Sequence, residues 1–141
     1  MQNHALNQYQ KTQVTTVDSG KVVVLLYEGA IKFLRKSQEG IAEKDIEKRH
    51  NNIMRALDII DELNNSLNFS EGGEIAISLR TLYDFMHGHL TEANINNNSQ
   101  MIQEVVSMLS SIKDAWEEVA SNPEINRPEP NPIPTTGGIR I

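Results

Sequence analysis

Apolar residues recur every three or four positions over most of this chain, and the recurrence divides it into four helical segments. The first helix is predicted from about Ser19 to Glu39, with Asp18 or Ser19 as N-cap and Gly40 as its stop. The second covers about Lys44 to Leu67, where Asp45 and Glu47 suit the positive end of the helix dipole. Asn68 to Gly73 reads as a turn, because Gly72 and Gly73 inside a helix would cost about 1 kcal/mol each. A third helix spans about Glu74 to Asn94, and after an Asn-rich link Asn98 or Ser99 caps a fourth that ends near Ala120. Leu6 to Gln10 suffices for one short extra helical turn. Brief links between helices of about twenty residues require antiparallel neighbours, so the predicted fold is all-α, an up-down-up-down four-helix bundle. All five prolines lie beyond Asn122, and residues 122–141 have little to bury, so they are expected to form a disordered tail. The chain thus divides into an N-terminal lid segment (1–17), a bundle (18–121) and a flexible tail (122–141).

At about 100° per residue, Met101, Val105, Met108, Leu109, Ile112, Ala115, Trp116 and Val119 share one side of the fourth helix. On the third, Ile75, Leu79, Leu82, Tyr83, Met86, Leu90 and Ala93 do the same. Both stripes have the width of an ordinary core-facing helix. The first two helices are broader. Val22, Leu26, Gly29 and Phe33 run beside Val23, Tyr27, Ala30 and Leu34, and Val24 and Ile31 widen the arc to roughly 200°, with Leu25 outside it. On the second helix, Ile46, Ile53, Leu57 and Ile60 are widened by Ala56, Ile59, Leu63 and Leu67 to about the same extent. Such a surplus has two uses. The N-terminal segment (Leu6, Tyr9, Val14, Val17) folds over it, or it forms a groove for a partner helix. A removable cover would serve both.

Composition narrows the function. Nineteen acidic against thirteen basic residues give a net charge of −6 with both signs dispersed, which argues against nucleic acid as a partner. The densest basic stretches, Lys32/Arg35/Lys36 and Lys48/Arg49, sit beside glutamates and read as solvated helix faces. Without cysteine there is no disulfide and no thiolate metal site, as suits a reducing cytosol. Met1 to His4 is unlike a secretory signal, and the longest apolar run, Val22 to Tyr27, is too short for membrane insertion. A cytoplasmic protein is expected.

Enzyme chemistry finds little support. His87 and His89 are two apart and point away from each other on a helix, and the Glu-x-x-His spacing of di-iron bundles is absent. Gly72-Gly73 lacks the Lys-Ser/Thr that completes a phosphate loop. No catalytic residue, metal or cofactor is therefore expected. A histidine phosphotransfer bundle is one alternative, through His50 or His87, although Asn51 and Asn52 follow His50 where such domains tend to carry Lys-Gly. A structural homodimer burying the wide faces against each other is another.

Read together, the segments carry a resemblance. They are Tyr9, Val14 and Thr16, then Val24-Leu25-Leu26-Tyr27-Glu28-Gly29-Ala30-Ile31 and Phe33-Leu34. The second helix adds Ile53, Ala56-Leu57, Ile59-Ile60 and Glu62-Leu63; the third adds Gly72-Gly73-Glu74-Ile75-Ala76, Leu82-Tyr83-Asp84-Phe85-Met86 and Glu92-Ala93-Asn94. Val105, Leu109 and Ala115-Trp116-Glu117-Glu118 close the series. From about Leu6 to Ala120 this set, in this order, resembles the flagellar secretion chaperone FliS family. Val17, Ser37 and His89 depart from the family's usual residues, and Gly88 inside the third helix costs helicity about 1 kcal/mol.

The resemblance implies a cytosolic helical bundle that binds the C-terminal region of flagellin and keeps it from polymerising. It would then present flagellin to the flagellar type III export gate. A bound segment that orders only on binding needs many apolar anchors to offset its lost entropy. The expected flagellin-binding residues are Leu6 and Tyr9 in the lid, and Val22, Leu25, Leu26, Gly29 and Phe33 on the first helix. Asn52, Ile53, Ala56, Ile59 and Leu63 complete the set on the second. Tyr27, Leu57, Ile60, Tyr83 and Trp116 are assigned to the core.

Overall fold

The computed structural model describes residues 19–121. The predicted N-terminal helical turn and the Pro-rich tail fall outside them. Four helices follow one another: α1 (Ser19–Glu43), α2 (Ile46–Asn65), α3 (Phe69–Asn96) and α4 (Ser99–Ser121). α1 packs on α2 and α4, and α3 packs on the same two, so the helices stand at the corners of a square in chain order. This is the expected all-α four-helix bundle.

Short polar side chains start three of the helices. Asp45 accepts the Lys48 N–H at 3.0 Å, Asn68 that of Glu71 at 3.1 Å, and Asn98 that of Met101 at 3.1 Å. Each satisfies a donor that a first helical turn leaves unpaired, worth about 1 kcal/mol.

Two glycines behave differently from expectation. Gly40 does not end α1, which continues to Glu43 and stops where Lys44 turns left-handed at φ 58°. Gly40 is instead the point where α1 meets the first turn of α2. A Cβ there would lie 2.6 Å from the Arg49 amide nitrogen and 3.0 Å from its Cα. The expected turn at 68–73 shrinks to a single break. α3 begins at Phe69 and is kinked at Gly73 (φ 53°, ψ −127°), a conformation that disfavours any side chain.

Leu34, Ile53, Ile60, Leu63, Met86, Leu90, Ile102 and Leu109 fill the core at zero exposure, each contributing about 1.5–3 kcal/mol by burial. A polar contact crosses it. The buried hydroxyls of Tyr27 on α1 and Tyr83 on α3 are hydrogen-bonded across the diagonal of the square. The Trp116 indole, which can only donate, reaches the Tyr27 hydroxyl from α4. Ser37, buried in α1, is satisfied through its hydroxyl, which donates to the Leu34 carbonyl at 2.6 Å.

The inward faces of α3 and α4 are rotated from the stripes read in the sequence. On α3, Ala76 is buried while Ile75 is 41% exposed and Leu82 only half-buried. On α4, Ile102 and Val106 are buried, whereas Met101, Met108 and Ile112 are half-buried and Ala115 is exposed. The apolar arc on each helix is wider than its contact with the core, and only packing chooses the edge that goes inside.

Two sets of measurements test this description. Gly40→Ala is expected to lower stability by about 1–3 kcal/mol, because backbone atoms of α2 cannot yield. Gly88→Ala, facing open space in mid-helix, is expected to raise it by up to about 1 kcal/mol; urea unfolding of both variants reads the opposite signs. Burial raises the ionisation of both phenols above the ordinary 10.0, and for Tyr83 proximity to Tyr27 adds to it. As pH rises past about 10 the unfolded chain therefore loses these protons first. Stability is constant below that point and falls above it by up to about 1.4 kcal/mol per pH unit for each phenol. An alkaline absorbance titration should show two tyrosines ionising only as the helices melt.

Candidate functional site

The expected binding residues on the described chain all fall on α1 and α2, the two helices that share the most extensive contact in the bundle. Leu6 and Tyr9 lie outside the described residues. The rest divide by depth. Val22, Leu26, Ile53, Ala56, Ile59 and Leu63 are sealed, none more than 3% exposed. Leu25, Gly29 and Phe33, spaced four apart on one edge of α1, are half-buried and line the outside of the seam. Asn52 is 8% exposed on α2.

Antiparallel register brings specific pairs together across the seam. A Cβ on Gly29 would touch Ile59 Cδ1 at 3.3 Å, so the helices run close at this level. Toward the C-terminal end of α1, the Arg55 guanidinium lies 5.7 Å from the centre of the Phe33 ring, a cation–π contact spanning the cleft. At the far end Lys48 Nζ pairs with Glu39 at 3.2 Å and with Glu43 at 3.1 Å, which raises its ionisation range. Between Lys48 and Arg55 stands Asn52. Its amide nitrogen donates to the Lys48 carbonyl at 2.8 Å, but its Oδ1 is buried with no hydrogen-bond partner among the described residues. An orphaned buried acceptor costs about 1–3 kcal/mol.

Most of the wide arc on α1 is thus enclosed, with Leu25, Gly29, Ile31 and Phe33 left half-buried at its edges. No large apolar side chain of α1 is among the exposed ones, and Val22, Val23 and Val24 are all buried. Exposed apolar side chains sit mainly on α3, namely Phe69, Ile75, Ile77, Phe85 and Ile95, with Ile46 and Met54 on α2. Periodicity places Ile75 and Ile46 on inward stripes, and it does not single out Phe69, Ile77, Phe85, Ile95 or Met54. Arg55 was missed as well, since its role depends on the register that sets it over Phe33.

Charge is distributed unevenly among the grooves. Between α1 and α4 a groove of about 430 Å³ is lined by Ile31, by the cations Lys32, Arg35, Lys36 and Lys113, and by Glu28 and Glu39. Lys113 is balanced by Glu117 at 3.2 Å, and among the described residues Arg35 reaches the neutral Gln103, at 3.4 Å. Each described histidine is engaged with a neighbouring helix: His50 with Asn94 at 2.9 Å, His87 with Asp61 at 3.6 Å, His89 with Glu104 at 2.6 Å. Among the described residues no three His, Asp or Glu side chains converge as a metal would need, and no helix is long and apolar enough to cross a membrane. The surface offers shape, apolar contact and charge.

The orphaned acceptor gives a direct test. Asn52→Ala should be neutral or stabilising, since it removes a buried polar atom that nothing satisfies. Ile53→Ala, one residue along, should cost about 2–5 kcal/mol. Denaturation of the two variants side by side would contradict this if Asn52→Ala lost as much as its neighbour.

Comparison with known proteins adds a separate line. The family model described as flagellar protein FliS matches residues 1–123. The flagellar secretion chaperone FliS of Bacillus subtilis is 34% identical over 119 residues, covering 84% of this chain and 88% of that protein. That of Campylobacter jejuni is 36% identical over 123 residues, covering 86% and 96%. The Vibrio cholerae protein of the same name is 34% identical over 119 residues, covering 82% and 88%.

Proposed function

The chain belongs to the flagellar protein FliS family, a family of secretion chaperones rather than enzymes, and on that premise we propose that it is a cytoplasmic export chaperone for flagellin. It binds the C-terminal region of flagellin, prevents premature polymerisation and delivers the bound chain to the flagellar type III export gate.

One observation carries the choice of surface. The α1–α2 seam presents Leu25, Gly29 and Phe33 half-open above a sealed apolar floor of Val22, Leu26, Ile53, Ala56, Ile59 and Leu63. An amphipathic helix or extended segment places anchors at comparable spacing, i, i+4 and i+8. Gly29 allows close approach, and the Phe33–Arg55 contact supplies an aromatic face with a cation over it. Asn52 adds an acceptor without an internal partner, suited to a backbone N–H of the incoming chain once the seam opens. Leu6 and Tyr9 belong to this reading as part of a cover that the ligand replaces. Because flagellin would order only on binding, numerous moderate contacts rather than one deep pocket are what the task requires.

Mixing the protein with a flagellin C-terminal peptide should increase total helicity in circular dichroism beyond the sum of the parts. Leu25→Asp and Phe33→Asp, both at half-exposed positions, should weaken the complex by about tenfold or more while leaving cooperative unfolding intact. If the peptide binds with unchanged affinity to both, the seam is not the site. If it does not bind the unaltered protein, the assignment of flagellin as ligand fails.

A further inference from the structure

α3 and α4 are the most sparsely packed neighbours in the bundle, and apolar side chains line both sides of the gap between them, exposed mainly on α3 and half-buried on α4. On α3 these are Ile75 (41% exposed), Leu82 and Phe85 (51% exposed); on α4 they are Met108, Ile112 and Ala115. Their spacing is that of core positions, and all but Phe85 were assigned to the core from periodicity alone. In the folded chain Ile75, Phe85 and Ala115 are exposed, while Leu82, Met108 and Ile112 are half-buried, packing partly on the core with an edge left accessible. The His89–Glu104 contact at 2.6 Å sets the antiparallel register, and counting back along both helices places Phe85 level with Met108 and Leu82 level with Ile112. Ile75 falls near Glu118 at the other end. The resulting strip is about 15 Å long, close to three turns of helix.

Its rim carries one sign of charge. Glu74 and Glu92 on α3 and Glu104 and Glu118 on α4 are all exposed. The nearest cations of these helices point elsewhere: Arg80 lies over the Phe69 ring, 5.3 Å from its centre, and Lys113 lines the α1–α4 groove. His89, stacked on Phe85 at 4.8 Å, is already engaged by Glu104. An apolar strip of this size on a folded chain marks a contact surface, and an acidic rim selects the sign of its ligand.

We propose that the α3–α4 strip is a docking site for an amphipathic helix of a partner protein whose apolar stripe is flanked by lysine or arginine. This surface is separate from the α1–α2 seam and does not depend on flagellin being the ligand there. A second copy of the chain would bring the same glutamates face to face, so charge favours a foreign helix over self-association.

The probe is an 18-residue peptide of leucine and lysine with the leucines on one helical face, compared with a peptide in which glutamate replaces every lysine. Carbon-13 methyl spectra of the methionines locate binding, because Met108 and Met101 border the strip while Met54, 42% exposed on α2, lies outside it. The lysine peptide should shift the Met108 and Met101 methyls and leave Met54 in place, and the glutamate peptide should shift none. Glu104→Lys combined with Glu118→Lys should weaken the lysine peptide by about tenfold, and added salt should weaken it too. Glu47→Lys, an exposed reversal on α2, controls for net charge and should have little effect. Three outcomes would overturn the proposal: equal shifts at Met54, equal losses from the α2 reversal and the rim reversals, or Met108 shifts that depend on protein concentration without peptide, which would make the occupant a second copy.

Discussion

The close approach of α1 and α2 is the constraint on which the rest of this bundle depends. Gly40 leaves room for the Arg49 backbone, and Gly29 leaves room for the Ile59 side chain, so the two helices lie against each other along most of their length. Leu26, Ala30 and Leu34 are buried in one core cluster with Ile53, Ala56, Ile60 and Leu63, and this pair shares the most extensive contact in the bundle. α4 completes the square against α1 and α3 against α2. The remaining side, between α3 and α4, is left the most open. A loose side opposite a tight one follows when two of four helices take the short residues at their crossing and the other two do not.

Tyr27, Tyr83 and Trp116 tie this asymmetric square together. Hydrophobic burial is indifferent to rotation of a helix about its own axis, but a hydroxyl pair in a dry core is not. Joining α1 to α3 across the diagonal, with the indole reaching in from α4, fixes the rotation of three helices at one level. A slipped packing would leave two phenols buried without partners. The polar contact therefore acts as a register device within an otherwise apolar interior.

Three grooves with distinct chemistry result. The α1–α2 seam is apolar, tight and bridged by Phe33–Arg55 and by Lys48 with two glutamates. The α1–α4 groove is cationic, and the α3–α4 strip is apolar with an acidic rim. A chaperone has no reaction to catalyse, and its specificity must come from such differences among surfaces. The dispersed charges counted in the sequence sum to −6 and conceal this sorting, because a sum carries no position.

The sequence by itself determined the number of helices, their antiparallel order and the family. Each rests on local signals: periodicity, helix-start residues such as Asp45 and Asn98, and an ordered set of short motifs; that Asn68 caps α3 rather than opening a turn came from the structure. It also located Tyr27, Tyr83 and Trp116 in the core, where they are. Tertiary structure decided which edge of each apolar arc turned inward. On α3 and α4 it chose Ala76, Ile102 and Val106 over Ile75, Met108 and Ile112, and on α1 it enclosed three consecutive valines that the pattern left as surplus. It also showed that Gly40 is a crossing point rather than a stop. Periodicity reports the direction of a helix's apolar face to within the width of its arc; only the neighbouring helices, through shape and through buried hydroxyls that need partners, select a rotation inside that width.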